Sequence, residues 1–323
     1  MSELTRRKLL AGILAALTTQ QVGTFGEAHQ PSRLGYLHDA PLSFTLPQFA
    51  RALADVGYIQ GNNIIIESRW TREAPNGIVG LARELVDLKA DVIVAEGNRA
   101  VRAAQLATRR IPIVMAPANF PLEHGFISAL ARPGGNITGI MFASDREVQG
   151  KIGVFAEIVP NARILGFLAD ADTDQAERVA VERAALRFGM RVVTAAVRRG
   201  ELETVFLGLK RDSVDGLFVS RCSFAVGVRR LLVDLAAKHH IPAIWEPGLL
   251  GDDGALVTYG ARLPDLYSRV AYFVDRLIKG ARPAELPVTE PTRFELVINI
   301  AAANALQISV PTSVIARADR TIQ

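Results

Sequence analysis

The 323-residue chain is 49% hydrophobic and 22% charged, with 26 glycines and 16 prolines, which excludes a disordered or collagen-like chain. Its single cysteine excludes an intramolecular disulfide and any thiolate metal cluster. The formal charge of +4 comes from 37 basic and 33 acidic residues interspersed along the chain, a mixed arginine-rich surface and not a nucleic-acid groove. At roughly 150 residues per domain, the length predicts two lobes.

Residues 1–28 read as a cleavable export signal. Thr5-Arg6-Arg7-Lys8 precedes the apolar run Leu9 to Leu17, and Gly26-Glu27-Ala28 supplies small residues for a cut before His29. Such a run rises only ~14 Å as a helix, about half of a ~30 Å hydrocarbon core, so it does not span a bilayer. The paired arginines resemble a twin-arginine signal, although ordinary secretion signals carry such pairs too. An amphipathic N-terminal helix of a cytosolic protein is the competing reading. No cysteine follows the apolar run, so there is no lipid-attachment site there.

From Arg33 onward apolar runs alternate with segments of helical period. A strand at Leu34 to Leu37 is followed by a helix from Leu46 to Gly57, a strand at Ile64 to Glu67, a helix from Ile78 to Leu88 and a strand at Asp91 to Ala95. A helix from Arg99 to Thr108, a strand at Ile113 to Met115, a turn at Pro133 to Asn136 and a strand at Thr138 to Ile140 complete the first series. The second runs through a strand at Ile164 to Leu168, a helix from Gln175 to Phe188, a strand at Val192 to Ala195 and a helix from Glu201 to Lys210. It continues with strand Gly216 to Val219, helix Val226 to His239, strand Ala243 to Trp245 and strand Leu256 to Gly260. A helix from Leu263 to Lys279, an extended segment at Phe294 to Asn299 and a helix from Ala301 to Leu306 follow. Continuous apolar strands joined by helices predict an α/β chain with parallel sheets in two Rossmann-like lobes.

The sequence carries no phosphate-binding glycine loop, no H-E-x-x-H and no G-x-S-x-G. The pair His239-His240 lies at a helix C-terminus, where neighbours point about 100° apart and do not readily share one metal ion. Asp170 to Asp174 lacks the sixth-position glycine and the later glutamate of a calcium loop, and reads as a strand-to-helix loop. Asn136-Ile137-Thr138 fits a glycosylation sequon, but next to Gly134-Gly135 it reads as the beginning of a strand. Cys222 reads as a small residue at a strand end. No metal and no cofactor is expected.

In open α/β sheets ligands sit beyond the carboxyl ends of the strands. That rule selects His38 and Asp39 after the first strand, Glu96, Gly97, Asn98 and Arg99 after the third, and Asn119 and Phe120 after the fourth. In the second lobe it selects Asp170, Ser220, Arg221 and Glu246, the last beside Trp245. Gly97 permits close backbone approach and Asn98 can cap the helix, so a carboxylate fits there. Glu96 and Glu246 suit an ammonium group or a charged rim.

Leu53 to Glu67 (LADVGYIQGNNIIIE), Leu81 to Val94, Ile111 to Val114, Leu130 to Gly139, Ala236 to Ile244, Tyr259-Gly260, Pro291 to Asn299 and Ala316 to Asp319 together resemble a family of ABC-transporter substrate-binding proteins, one group of which binds tryptophan. The resemblance runs the length of the chain after the signal. It implies a type I periplasmic-binding-protein architecture, with a ligand cleft between two lobes joined by three crossings, and adds Tyr259 to the candidate ligand contacts. The lobes implied are 32–140 plus 260–288 and 145–256 plus 292–323, with hinges near 139–144, 257–260 and 288–292. It further implies a monomeric, non-enzymatic periplasmic receptor that closes on an amino acid or a small aromatic or carboxylate-bearing solute and delivers it to the membrane permease subunits of an ABC importer. An exported sensor domain would read the same way, and an exported enzyme of doubly wound fold is a more distant rival. The chain departs from the family where Gly97-Asn98-Arg99 replaces a Gly-Thr/Ser-Pro and where Asn119-Phe120-Pro121 replaces an Asp-Pro. An arginine in place of that proline adds a bidentate donor, so the family's aromatic ligand does not transfer automatically.

Overall fold

The structure, a computed structural model, describes residues 30–38, 45–71, 77–142, 144–170, 175–197, 200–220, 225, 228–246 and 254–323, with Asp170 described by its backbone alone. Residues 1–28, read above as an export signal, and Asp39, 171–174, Arg221, Cys222 and 247–253 lie outside them.

The first sheet is five-stranded and wholly parallel, in the order β2-β1-β3-β4-β5: β1 Ser32–His38, β2 Ile64–Trp70, β3 Val92–Glu96, β4 Ile113–Ala118 and β5 Ile137–Met141. Every residue of β3, β4 and β5 is buried, as expected of strands covered on both faces. Helices α1 Thr45–Asp55, α2 Gly77–Asp87 and α3 Asn98–Ala107 are the crossovers. In α3 the alanines Ala100, Ala103 and Ala104 with Val101 form the buried stripe, small enough to lie close on the sheet.

The second sheet has seven strands in the order β12-β11-β10-β9-β8-β6-β7: β6 Ile164–Asp170, β7 Arg191–Val197, β8 Gly216–Val219, β9 Ala243–Trp245, β10 Val257–Ala261, β11 Phe294–Asn299 and β12 Arg320–Ile322. Its pairs are parallel except β10 with β11, which run antiparallel with Ala261 opposite Phe294. The expected α/β fold with parallel sheets is borne out, and this one antiparallel pair arises where the last segment enters from the other lobe with no crossover helix to turn it parallel. Helices α4 Asp145–Ile158, α5 Gln175–Arg187, α6 Leu202–Arg211 and α7 Arg229–Lys238 cover this sheet, with the short helices α9 Ile300–Ala305 and α10 Thr312–Ile315 near the C-terminus.

The sequence reading omits α4. Its Ser144 cap accepts from the Glu147 amide, and its buried positions are Glu147, Val148, Lys151, Ile152, Val154, Phe155 and Ile158. Two charged residues on the inward face hide the apolar period.

Three crossings join the sheets. The first leaves β5 at Met141 and enters α4 at Asp145, and the second passes from β10 through Arg262 into α8, Leu263–Ile278. Helix α8 buries Leu266, Tyr267, Val270, Phe273, Val274 and Leu277 on one face and packs on α1, β3, β4 and β5 of the first sheet. The third returns through a 3-10 turn at Pro283–Glu285 to β11. The first and third crossings are tied together where the Thr289 amide donates to Gly139 O at 3.1 Å and the Met141 amide donates to Thr289 O at 3.0 Å. One hydrophobic cluster runs from Leu34 and Tyr36 of β1 to Phe155, Leu165 and Phe218 of the second lobe.

Candidate cleft at the strand ends

The register of β1 on β3 sets His38 beside Glu96. Both side chains face the same way, and His38 Nε2 lies 3.5 Å from Glu96 Oε1. The other Glu96 oxygen accepts a short hydrogen bond from the Tyr36 hydroxyl, and the Tyr267 hydroxyl of α8 donates to Oε1 at 3.1 Å. Burial, and then the adjacent Glu96 carboxylate, push the Tyr36 phenol well above its ordinary value. The Phe49 ring stacks on Tyr36 at 5.1 Å and seals the group from below. Glu96 is therefore a buried carboxylate held by three side chains from β1 and α8.

Gly97 follows with φ 86° and ψ 157°, a conformation open to glycine, and its amide donates to Pro117 O at 3.0 Å. Asn98 opens α3, and its side chain fixes the neighbouring loop: Oδ1 accepts from the Asn119 amide at 2.7 Å and Nδ2 meets His124 Nε2 at 2.9 Å. Arg99 is exposed on the next helix position. Phe120, at φ 46°, turns its ring into the hydrophobic cluster. His124 stacks on Phe126 at 5.2 Å, and Arg102 covers the other ring at 4.8 Å while donating to His124 O. His38 and Glu96 thus form one group, and Asn98 with Asn119 another, along one edge of the first sheet.

In the second lobe the Ser220 hydroxyl donates to Glu177 Oε2 at 2.7 Å, both residues being buried. Glu246, directly after β9, accepts a short hydrogen bond from Lys151 Nζ of α4. Lys151 also lies 3.2 Å from Glu147 Oε1 and 4.8 Å above the Phe218 ring. Relative exposures are 1% for Lys151 and Glu147 and 8% for Glu246, so this is a buried group of two carboxylates and one ammonium. Trp245, the neighbour of Glu246, turns to the opposite face among Leu217, Val233 and Ala255, so its ring lies away from the Glu246 side.

Tyr259 is half-buried and stacks on Phe294 at 5.6 Å with rings 9° apart, at the crossings, where the Arg146 guanidinium lies 5.9 Å over Phe294. Desolvation first, and the charge of Glu147 second, raise the Tyr259 phenol. Asp170 ends β6, and Asp39 and Arg221 lie outside the described residues.

The strand-end rule missed Tyr36, Tyr267, His124, Glu147, Lys151 and Glu177. Tyr36 is two residues before His38 and shares its face, a signal the period-2 pattern contains. Lys151 and Glu147 at i,i+4 gave no signal, because their helix was unread. Among the described residues no group of three or more His, Cys, Asp or Glu is placed to hold a metal ion.

The family model for ABC transporter substrate binding proteins matches residues 38–322. The chain belongs to that family. Among curated relatives, a tyrosine-binding protein of Clostridioides difficile is 24% identical over 264 residues, 80% of this chain and 75% of that protein. Among solved structures, an ABC domain in complex with L-Trp from Streptococcus pneumonia superposes with a TM-score of 0.82 at 22% identity, covering 91% of this chain and all 100% of that one. A conserved domain protein from Vibrio cholerae gives a TM-score of 0.84 at 22% identity, covering 90% and 100%. These likenesses establish the type I periplasmic-binding architecture of this substrate-binding protein. No helix among the described residues is long and apolar enough to cross a membrane.

Proposed function

We propose that this substrate-binding protein is the extracytoplasmic receptor of an ABC importer, that it takes an amino acid, and that it closes its two lobes on that solute and hands it to the permease without chemical turnover. The observation that carries the reading is the polar side chains gathered at the carboxyl ends of both sheets: Glu96, Asn98 and Asn119 after β3 and β4 of one, and Glu246 after β9 and Ser220 after β8, bonded to Glu177 of α5, in the other, with three crossings between the sheets. Ligands of open α/β sheets lie beyond such strand ends. The tyrosine-binding relative and the neighbour holding L-Trp favour an aromatic amino acid. The N-terminal signal favours a periplasmic location, and hinge closure follows from ligand contacts with both lobes, which stabilise the closed state over the open one.

The test is a melting-temperature screen of the purified chain against the twenty amino acids, aromatic carboxylates, nucleobases and sugars. Ligand at 100 times its Kd adds about 2.7 kcal/mol to the folded state, a shift of several degrees. A selective shift by amino acids, with a smaller radius of gyration in solution scattering, is the expected result. A ligand-free preparation that responds to no solute overturns the receptor reading.

A further inference from the structure

Glu246 presents an oxygen that no group among the described residues uses. Its Oε1 is taken by Lys151, but no hydrogen-bond partner reaches Oε2 among the described residues, although the side chain is more than nine-tenths buried. A buried carboxylate oxygen without a donor is costly to keep, so it marks a group completed by something outside the fold. Glu246 itself has one oxygen matched by the Lys151 ammonium and one that is not, directly after β9 at the carboxyl end of the second sheet. Lys151 cannot turn to supply the missing donor at Oε2, because it is already shared between the two carboxylates and seated over the Phe218 ring at 4.8 Å.

Resting on the receptor reading above, we infer that Glu246 Oε2 accepts a hydrogen bond from a cationic nitrogen of the solute, so that the second lobe selects amine-bearing ligands over purely anionic acids. Lys151 is a positioning residue: it anchors Oε1 and leaves Oε2 turned to the ligand. A carboxylate end of the same solute then falls to the first lobe, because a second carboxylate placed beside Glu246 is repelled by it. A charge-assisted hydrogen bond in a buried site discriminates by roughly tenfold to a hundredfold between a ligand that makes it and an isostere that does not.

The experiment measures binding of matched triplets to the wild-type chain by calorimetry: L-tyrosine, tyramine and 3-(4-hydroxyphenyl)propionate, with the corresponding sets built on tryptophan, phenylalanine and leucine. The expected result is that at least one triplet binds, that its des-amino acid is at least about tenfold weaker than the parent, and that E246Q removes this preference. A des-amino acid that binds as tightly as its parent overturns the inference while leaving the receptor reading intact, as does an E246Q chain that keeps the full amine preference. A chain that binds no member of these sets and no solute of the wider screen fails as a receptor, and the inference falls with it. The comparison of parent and des-amino ligand needs no variant, so it stands even where E246Q does not fold.

Discussion

Replacing Lys151 with methionine tests the buried charge group directly. Methionine keeps most of the stem that lies over Phe218 and removes the ammonium, so packing changes little while Glu246, 9% exposed at its side chain, loses its ion-pair partner and Glu147 loses its contact with Lys151. Removing one partner of a buried ion pair costs about 3–5 kcal/mol, because the remaining charge stays desolvated without compensation. Against a total stability of about 5–15 kcal/mol, that is a large fraction. Urea unfolding at pH 7, followed by fluorescence and circular dichroism, is the assay. K151M is expected to lower the midpoint strongly. The double variant K151M/E246Q, which also removes the buried charge of Glu246, is expected to recover part of the loss. A K151M chain within about 1 kcal/mol of wild type at pH 7 refutes the reasoning, because it means water or the chain itself already neutralises the carboxylates.

Asn98→Ala removes the acceptor for the Asn119 amide at 2.7 Å and the contact with His124, so a loss of about 1–2 kcal/mol in urea and a weakened solute affinity are expected; unchanged affinity would remove Asn98 from the site. Alkaline pH is expected to destabilise the protein. Burial, followed by Asp275, lifts the Tyr58 phenol from 10.0 to about 12, so the folded state keeps a proton that the unfolded chain releases. The stability Tyr58 contributes is complete below pH 10 and lost as pH rises toward 12, and the raised Tyr36 and Tyr259 act in the same direction. Urea midpoints at pH 9 and pH 11 check this, with Tyr58→Phe expected to flatten the fall; a midpoint that rises with pH sinks it. Phe294→Leu removes the stack with Tyr259 and the Arg146 contact at the crossings. It is expected to leave the fold intact and change the ligand-free radius of gyration in solution scattering, and an unchanged radius and affinity would show that the stack does not set the lobe equilibrium.

The strands were legible because their apolar runs are continuous: Val92 to Ala95 is buried residue for residue. Helix α4 was not, because its inward face carries Glu147 and Lys151 and because Gly150 and Gly153 stand where apolar side chains would mark the period. Those glycines have a packing reason. A Cβ on Gly150 would lie 2.8 Å from the Tyr259 hydroxyl, and one on Gly153 would lie 3.3 Å from the Phe188 ring. Strand direction was equally unreadable at β11, since its buried run from Leu296 to Asn299 has the continuous pattern of a parallel strand although it pairs antiparallel with β10. At the site, Glu96 and Asn98 were visible as strand-end residues. Their partners were not: Tyr36 and Tyr267 are 60 and 171 residues away from Glu96 in the chain, and only the packing of α8 on the first sheet brings the second of them in.

The first two turns of α4 serve both the crossings and the candidate cleft. Arg146 lies over Phe294 and Gly150 under Tyr259, while Lys151, on the same turns, binds both Glu147 and Glu246. A solute can drive closure only through contacts that differ between the open and closed states. A ligand that engages Glu246 pulls on a side chain whose anchor, Lys151, is one residue from Gly150 and one helical turn from Glu147, whose charge Tyr259 already senses. In the closure proposed above, α4 is the element that would carry a displacement from Lys151 to the ring stack at the crossings, because both sets of contacts lie on its first two turns and interiors packed this closely do not absorb a displacement gradually.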